Sequence, residues 1–149
     1  MFRITGSLAG AALLIFNAAL PAQSQEIVAT TDGETSGMRI EITELSRTSG
    51  DTVTLKYRLF NETGEDSSLY FLTQSTDVSG VHLIDAVGKK KYLVITDSDG
   101  YCLCSANVGD VASGQYLNLW AKFPAPPADV MEVGVVFPHF IPTDAPISE

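Results

Sequence analysis

The sequence is poor in cations. Nine Lys and Arg face eighteen Asp and Glu over 149 residues, a formal net charge of −9. A surface this acidic repels nucleic-acid phosphates and anionic lipid headgroups, so neither is expected as a partner. Cysteine is scarce, with Cys102 and Cys104 the only two. One pair makes no disulfide framework, and a chain of this length buries enough apolar surface to fold without one. Histidine is limited to His82 and His139, and tryptophan to Trp120. There is no Gly-x-Ser-x-Gly elbow, which removes the α/β-hydrolase signature. Carboxylates are plentiful, but an acidic surface brings polar groups such as Glu41 and Thr43 onto one strand face by chance. No catalytic residue is assigned, no cofactor is expected, and the chain does not read as an enzyme.

A long apolar run occurs once. Residues 8–20 (LAGAALLIFNAAL) follow Arg3, the only charge before Glu26. The run is too short for a comfortable membrane span. Ala22 and Ser24 then place small residues where a signal peptidase reads them. Residues 1–24 therefore read as a cleaved signal peptide. No cysteine follows that would take a lipid anchor, and no second stretch reaches spanning length. The expected location is periplasmic or extracellular, with no membrane span after cleavage.

Residues 25–37 are polar and turn-rich and read as a flexible lead-in, with room for a short strand at Ile27 and Val28. From residue 38 to 149 the apolar period is two. Met38, Ile40 and Ile42 alternate with Arg39, Glu41 and Thr43. Val53, Leu55, Tyr57 and Leu59 alternate with polar residues, the pattern of a strand with one buried and one wet face. Asn61-Glu62-Thr63 matches a glycosylation sequon but sits among turn residues and reads as turn chemistry. Further strands are expected at 68–73, 81–85, 91–96, 101–104 and 116–123, and at Met131, Val133, Val135 and Phe137, with hairpin turns at 86–89 and 97–100. Pro138, Pro142 and Pro146 make the tail extended. Seven or eight short strands with turns between them predict an all-β fold, an antiparallel immunoglobulin-like sandwich. The widely spaced cysteines around a core Trp that mark a true immunoglobulin domain are missing.

Several residues invite a chemical reading. Asp97 and Asp99, in Asp-Ser-Asp-Gly, match the start of a calcium loop, but the twelfth position is Val108 where an EF-hand needs Glu. Asp and Gly are also what a tight turn prefers. His82 and His139 could join the cysteines in a soft-metal site, yet no spacing brings them together, so no metal site is assigned. Met38 and Met131 fall on apolar strand faces and read as core. Tyr116, Asn118, Trp120 and Lys122 share one strand face. Open to solvent, that face is an aromatic and polar stripe suited to a partner. The burial usual for Trp argues instead for a strand covered on both sides, with Trp120 in the core.

Cys102 and Cys104 lie two apart, about 6.6 Å in an extended strand, close to the upper limit of about 6.8 Å for a bridge. Their side chains share a face. An intramolecular disulfide is expected to kink the chain at Leu103 and end the pairing there. Free thiols and intermolecular pairing are the alternatives. Such a bridge is either a reducible redox or metal-responsive element or a simple protection of two thiols.

Lys90-Lys91-Tyr92-Leu93-Val94, the turn 97–100, Cys102-Leu103-Cys104-Ser105, the run from Leu119 to Pro127 (LWAKFPAPP) and the Pro-rich end carry a resemblance. From about Ile42 to Ile147 the chain resembles a small secreted bacterial β-domain of unknown function. That domain stands alone after a signal peptide or precedes a peptidoglycan-binding domain like that of outer-membrane protein A. The resemblance implies an immunoglobulin-like fold and an envelope or extracellular role, and it implies no catalytic residues. Nothing in residues 25–149 resembles the peptidoglycan-binding part, so a cell-wall tether is not carried over.

The expected function is a non-catalytic secreted or periplasmic module that binds or supports a protein or other envelope component. The alternative is a metal-handling or thiol-redox protein using Cys102 and Cys104. Export should remove residues 1–24. The intact mass of the protein recovered from the host periplasm or medium checks this, and a species retaining residues 1–24 refutes it.

Overall fold

The computed structural model describes residues 26–68 and 75–149. The expectation for residues 1–24, and most of the strand expected at 68–73, lie outside the described residues. Among the described residues there are ten strands: β1 (Ala29–Asp32), β2 (Met38–Thr48), β3 (Thr52–Asn61), β4 (Ser67–Ser68), β5 (His82–Asp85), β6 (Lys90–Leu93), β7 (Asp110–Val111), β8 (Tyr116–Pro124), β9 (Glu132–Val136) and β10 (Thr143–Pro146). There is no helix among the described residues, and so none long and apolar enough to cross a membrane.

The strands form two four-stranded antiparallel sheets. One has the order β1-β2-β3-β8 and the other β10-β9-β5-β6, while β4 and β7 pair as a minor ribbon. Alternation along each strand sends one set of side chains inward. Ile40, Ile42, Leu45, Val53, Leu55, Leu59, Leu119 and Phe123 from the first sheet meet Leu83, Val133 and Val135 from the second in one buried cluster. Tyr57 and Phe137 join the two layers, their ring centroids 4.8 Å apart. The all-β antiparallel architecture agrees with the period-two pattern. Leu117 packs against the cluster from a partly buried position.

In β2 the ladder shifts between Ile42 and Glu44. Ile40 and Ile42 point inward before it, and Leu45 does so after it. A bulge of one residue, at Thr43, is what this change of parity demands. Arg47 lies beyond the bulge. Its guanidinium donates to the carbonyls of Pro126 (2.8 Å), Pro127 (2.8 Å) and Val130 (3.0 Å), tying the β8–β9 connection to β2.

Four expectations need correction. The lead-in is not free: its Ala29–Asp32 stretch pairs with Arg39–Ile42 as β1, because Thr31 alternates inward and is buried. The tail is more than extended, since Thr143–Pro146 pairs with β9 as β10. Pro146 is tolerated there because β10 is an edge strand. Met131 is not core but 58% exposed, just before β9 begins. The hairpin expected between 91–96 and 101–104 is reduced to a single bridge, Thr96 with Cys102.

Asn61 is fully buried at the end of β3. Its amide donates to the carbonyls of Glu65 (2.7 Å) and Val111 (2.9 Å), and its Oδ1 accepts from the Thr63 backbone N–H (3.1 Å) and hydroxyl (2.7 Å). The sequon residues thus do turn chemistry, joining the turn after β3 to β7.

Leu55 sits at the centre of β3 with no exposed surface. Leu55→Ala should destabilise the domain by about 2–5 kcal/mol, the range of large-to-small changes in a packed core. Chemical denaturation checks this, and an unchanged midpoint would place Leu55 outside the core.

Candidate functional site

The outer face of the first sheet is built by register. Along β8, Tyr116, Asn118, Trp120 and Lys122 stand opposite Phe60, Arg58, Lys56 and Thr54 of β3. Those β3 residues stand opposite Arg39, Glu41, Glu44 and Ser46 of β2. Each set points away from the core because its neighbours in sequence point into it. Trp120 is 40% exposed and Tyr116 47% exposed. The expectation of a core Trp120 therefore fails. Among the described residues no second layer covers this face, and Leu119 and Ala121 fill the inward positions instead.

Charge is unusually balanced here. Arg39, Lys56, Arg58 and Lys122 are four of the nine cations of the chain. Arg39 bonds Glu41 and also Glu62, at 3.1 Å. Arg58 lies 3.7 Å from Glu41, and Lys56 lies 2.7 Å from Glu44. The hydrogen bond that Arg39 donates to Glu41 raises the Arg39 pKa. Hydrogen bonds from Lys56 and then Ser46 hold the Glu44 carboxyl below its ordinary value. The guanidinium of Arg39 lies 4.3 Å above the Phe60 ring, and that of Arg58 lies 5.8 Å from the Tyr116 ring. Phe60 and Tyr116 stack with centroids 5.0 Å apart. These contacts fix the flat groups in place and limit the entropy lost when a partner lands on them.

Trp120 sits apart from that cluster. Its backbone is fixed by Ser105, whose Oγ accepts its N–H at 3.0 Å and whose N–H donates to its carbonyl at 2.9 Å. A shallow cavity of about 180 Å³ beside it is lined by Thr43, Lys56, Tyr57, Asn118 and Leu119. Thr43, which has no partner in the ladder at the β2 bulge, forms part of this lining. Sequence reasoning found the β8 stripe but missed Arg39, Lys56, Arg58 and Phe60. They read simply as the wet side of two strands, and only the register aligns them.

Cys102 and Cys104 form a disulfide, with Cα atoms 5.2 Å apart. The segment bends at Leu103. Cys102 bridges Thr96, whereas Cys104 bridges Ala121 on the edge of β8. Pairing with the preceding strand ends at the kink, and the chain turns to cover the sheet edge. Leu103 O accepts the Lys122 N–H at 2.9 Å, and Leu103 N–H donates to Ile95 O at 2.7 Å.

The remaining candidates do not converge on these sulfurs. Asp97 Oδ1 accepts the N–H groups of Asp99 and Tyr101, each at 2.9 Å, so this residue caps its own turn. Asp99 is exposed beside it. His82 Nδ1 lies 3.3 Å from Gly80 O, and exposed His139 pairs with Glu34 at 3.1 Å. A residue not singled out from the sequence does reach the disulfide. The Asp77 carboxylate and both sulfurs lie within 4.8 Å of one another. Asp77 Oδ1 accepts from Ser79 N–H (2.9 Å) and Ser75 Oγ (3.0 Å). Bonds from Ser79 and then Ser75 keep the carboxyl below its ordinary value against partial burial. No signal in the sequence places Asp77 here, because the contact arises from a loop meeting a distant segment. Val78 N–H donates to Ser105 O at 3.2 Å and fixes that meeting.

Comparison with protein families, curated proteins and solved structures finds no match to this chain.

The exported protein, denatured without reductant, should show no reactive thiol, and two after reduction. Thiol titration measures this directly. Two reactive thiols before reduction, or a reducible dimer on a gel, would contradict an intramolecular bridge.

Proposed function

We propose that this chain is an exported, non-catalytic, immunoglobulin-like module of a bacterial envelope, and that it binds a protein partner through the outer face of the β1-β2-β3-β8 sheet. The strand order supports the immunoglobulin-like part. Strands β2, β3 and β8 take the places of A, B and E, and β10, β9, β5 and β6 those of G, F, C and C′. The apolar run at residues 8–20 and the disulfide support export to an oxidising compartment.

The observation that carries the binding role is the exposure of Trp120 and Tyr116 on a face otherwise occupied by ion pairs. Exposed aromatics beside arginines are the composition of protein interfaces. Rigid aromatic anchors are also where alanine substitution costs most. The balanced charge lets the face approach another protein without the repulsion that the rest of the acidic surface would impose.

The test compares wild-type mature domain with Trp120→Ala and Tyr116→Ala as baits in envelope extracts of the host. Both positions are exposed, so the variants should melt as wild type does. A specific partner should be retained by wild type and lost from at least one variant, with a loss of about 2 kcal/mol or more in purified binding. Identical sets of captured proteins for all three baits would refute this face as the binding site.

A further inference from the structure

We propose that the reduced Cys102 and Cys104, together with Asp77, bind a thiophilic divalent cation of the zinc class. The inference is independent of the outer-face reading. It rests on three donors from two separate segments whose ligand atoms lie within 4.8 Å of one another. Asp77 is held in place without the sulfurs: its Oδ1 accepts from the Ser79 N–H and the Ser75 hydroxyl. The loop is anchored on each side by Val78 N–H to Ser105 O (3.2 Å) and Val108 N–H to Thr76 O (2.9 Å). The carboxylate is thereby held beside the two sulfurs. Cys104 is held by its bridge to Ala121 on β8, so opening the sulfur bond need not disperse the donors.

Reduction by a dithiol runs through a mixed disulfide. One thiolate of the dithiol attacks Sγ of Cys102, the less buried of the two residues, breaking the S–S bond and releasing Cys104 as a thiolate. The second thiol of the reductant displaces Cys102 from the mixed disulfide. The protein gains two electrons and two protons, and the reductant leaves as its own disulfide. The cation then takes both sulfurs as thiolates, displacing the two protons, and the Asp77 carboxylate as third ligand. Two thiolates and one carboxylate leave one tetrahedral position of zinc to water, the pattern of an exchangeable site. Exchange with a disulfide oxidant, which takes up the two electrons and leaves as its dithiol, returns the Cys102–Cys104 bond and expels the ion, so metal occupancy and the disulfide exclude each other.

The experiment reduces the exported protein with a phosphine, removes oxygen, and titrates zinc against a chromophoric chelator. Cadmium in parallel reports thiolate ligation by its charge-transfer absorption. Reduced wild type should bind one equivalent, and the oxidised protein none. Asp77→Asn should weaken binding by about tenfold or more, a loss that even supporting groups of metal sites command. Circular dichroism of each form shows whether the fold survives reduction and substitution. Should a variant fail to fold, cadmium NMR of wild type gives the donor set directly: two sulfurs with oxygen ligands support the site, and four sulfurs from two molecules overturn it. Equal binding by Asp77→Asn and wild type, or by reduced wild type and the Cys102→Ser/Cys104→Ser variant, also overturns it.

Discussion

The register of β3 against its two neighbours is the constraint on which the rest of the molecule depends. Leu55 lies between Leu45 and Ala121, Tyr57 between Ile42 and Leu119, and Leu59 between Ile40 and Leu117. The residues between them, Lys56, Arg58 and Phe60, form the outer face by the same alignment. A slip of one residue would exchange the two faces, putting Lys56 and Arg58 into the core and Leu55 and Tyr57 into water. The cost of burying those cations far exceeds what a shifted ladder could recover. Core and outer face are therefore fixed by one alignment.

The edges of the first sheet are closed by different means. β1 covers the early part of β2, and the C-terminal segment covers the later part through a parallel bridge between Ser46 and Ser148. On the opposite side the segment around Cys104 lies against β8. In the second sheet, β6 carries Lys90 and Lys91, and β10 ends on Pro146. Charged residues and proline at sheet edges discourage pairing between molecules.

Local periodicity made the architecture legible. Along most of β3 apolar and polar residues alternate, and from Val53 to Leu59 the apolar ones are the core residues. Strands β1 and β10 were obscured because their sequences are short, polar or interrupted by proline, and only their partners make them strands. Trp120 went against its usual burial because the parity of β8 is set by Leu119, Ala121 and Phe123, three inward residues that outweigh one. The kink at Leu103 followed from chain geometry, since two residues bridged across one must shorten their separation. The approach of Asp77 to that bridge could not be read, because it links segments that share no sequence pattern.

The burial of Asn61 has a consequence for how the protein can be made. The amide that a glycosyltransferase would modify is the one that donates to Glu65 and Val111 inside the fold. A eukaryotic secretory host modifies such sequons on chains that have not yet folded. The attached sugar is bulky and hydrated, and no surface position is available for it at this site. Sugar and native fold would compete for the same nitrogen. The recognition signal is thus harmless in a cell without the enzyme and an obstacle to folding in a cell that has it.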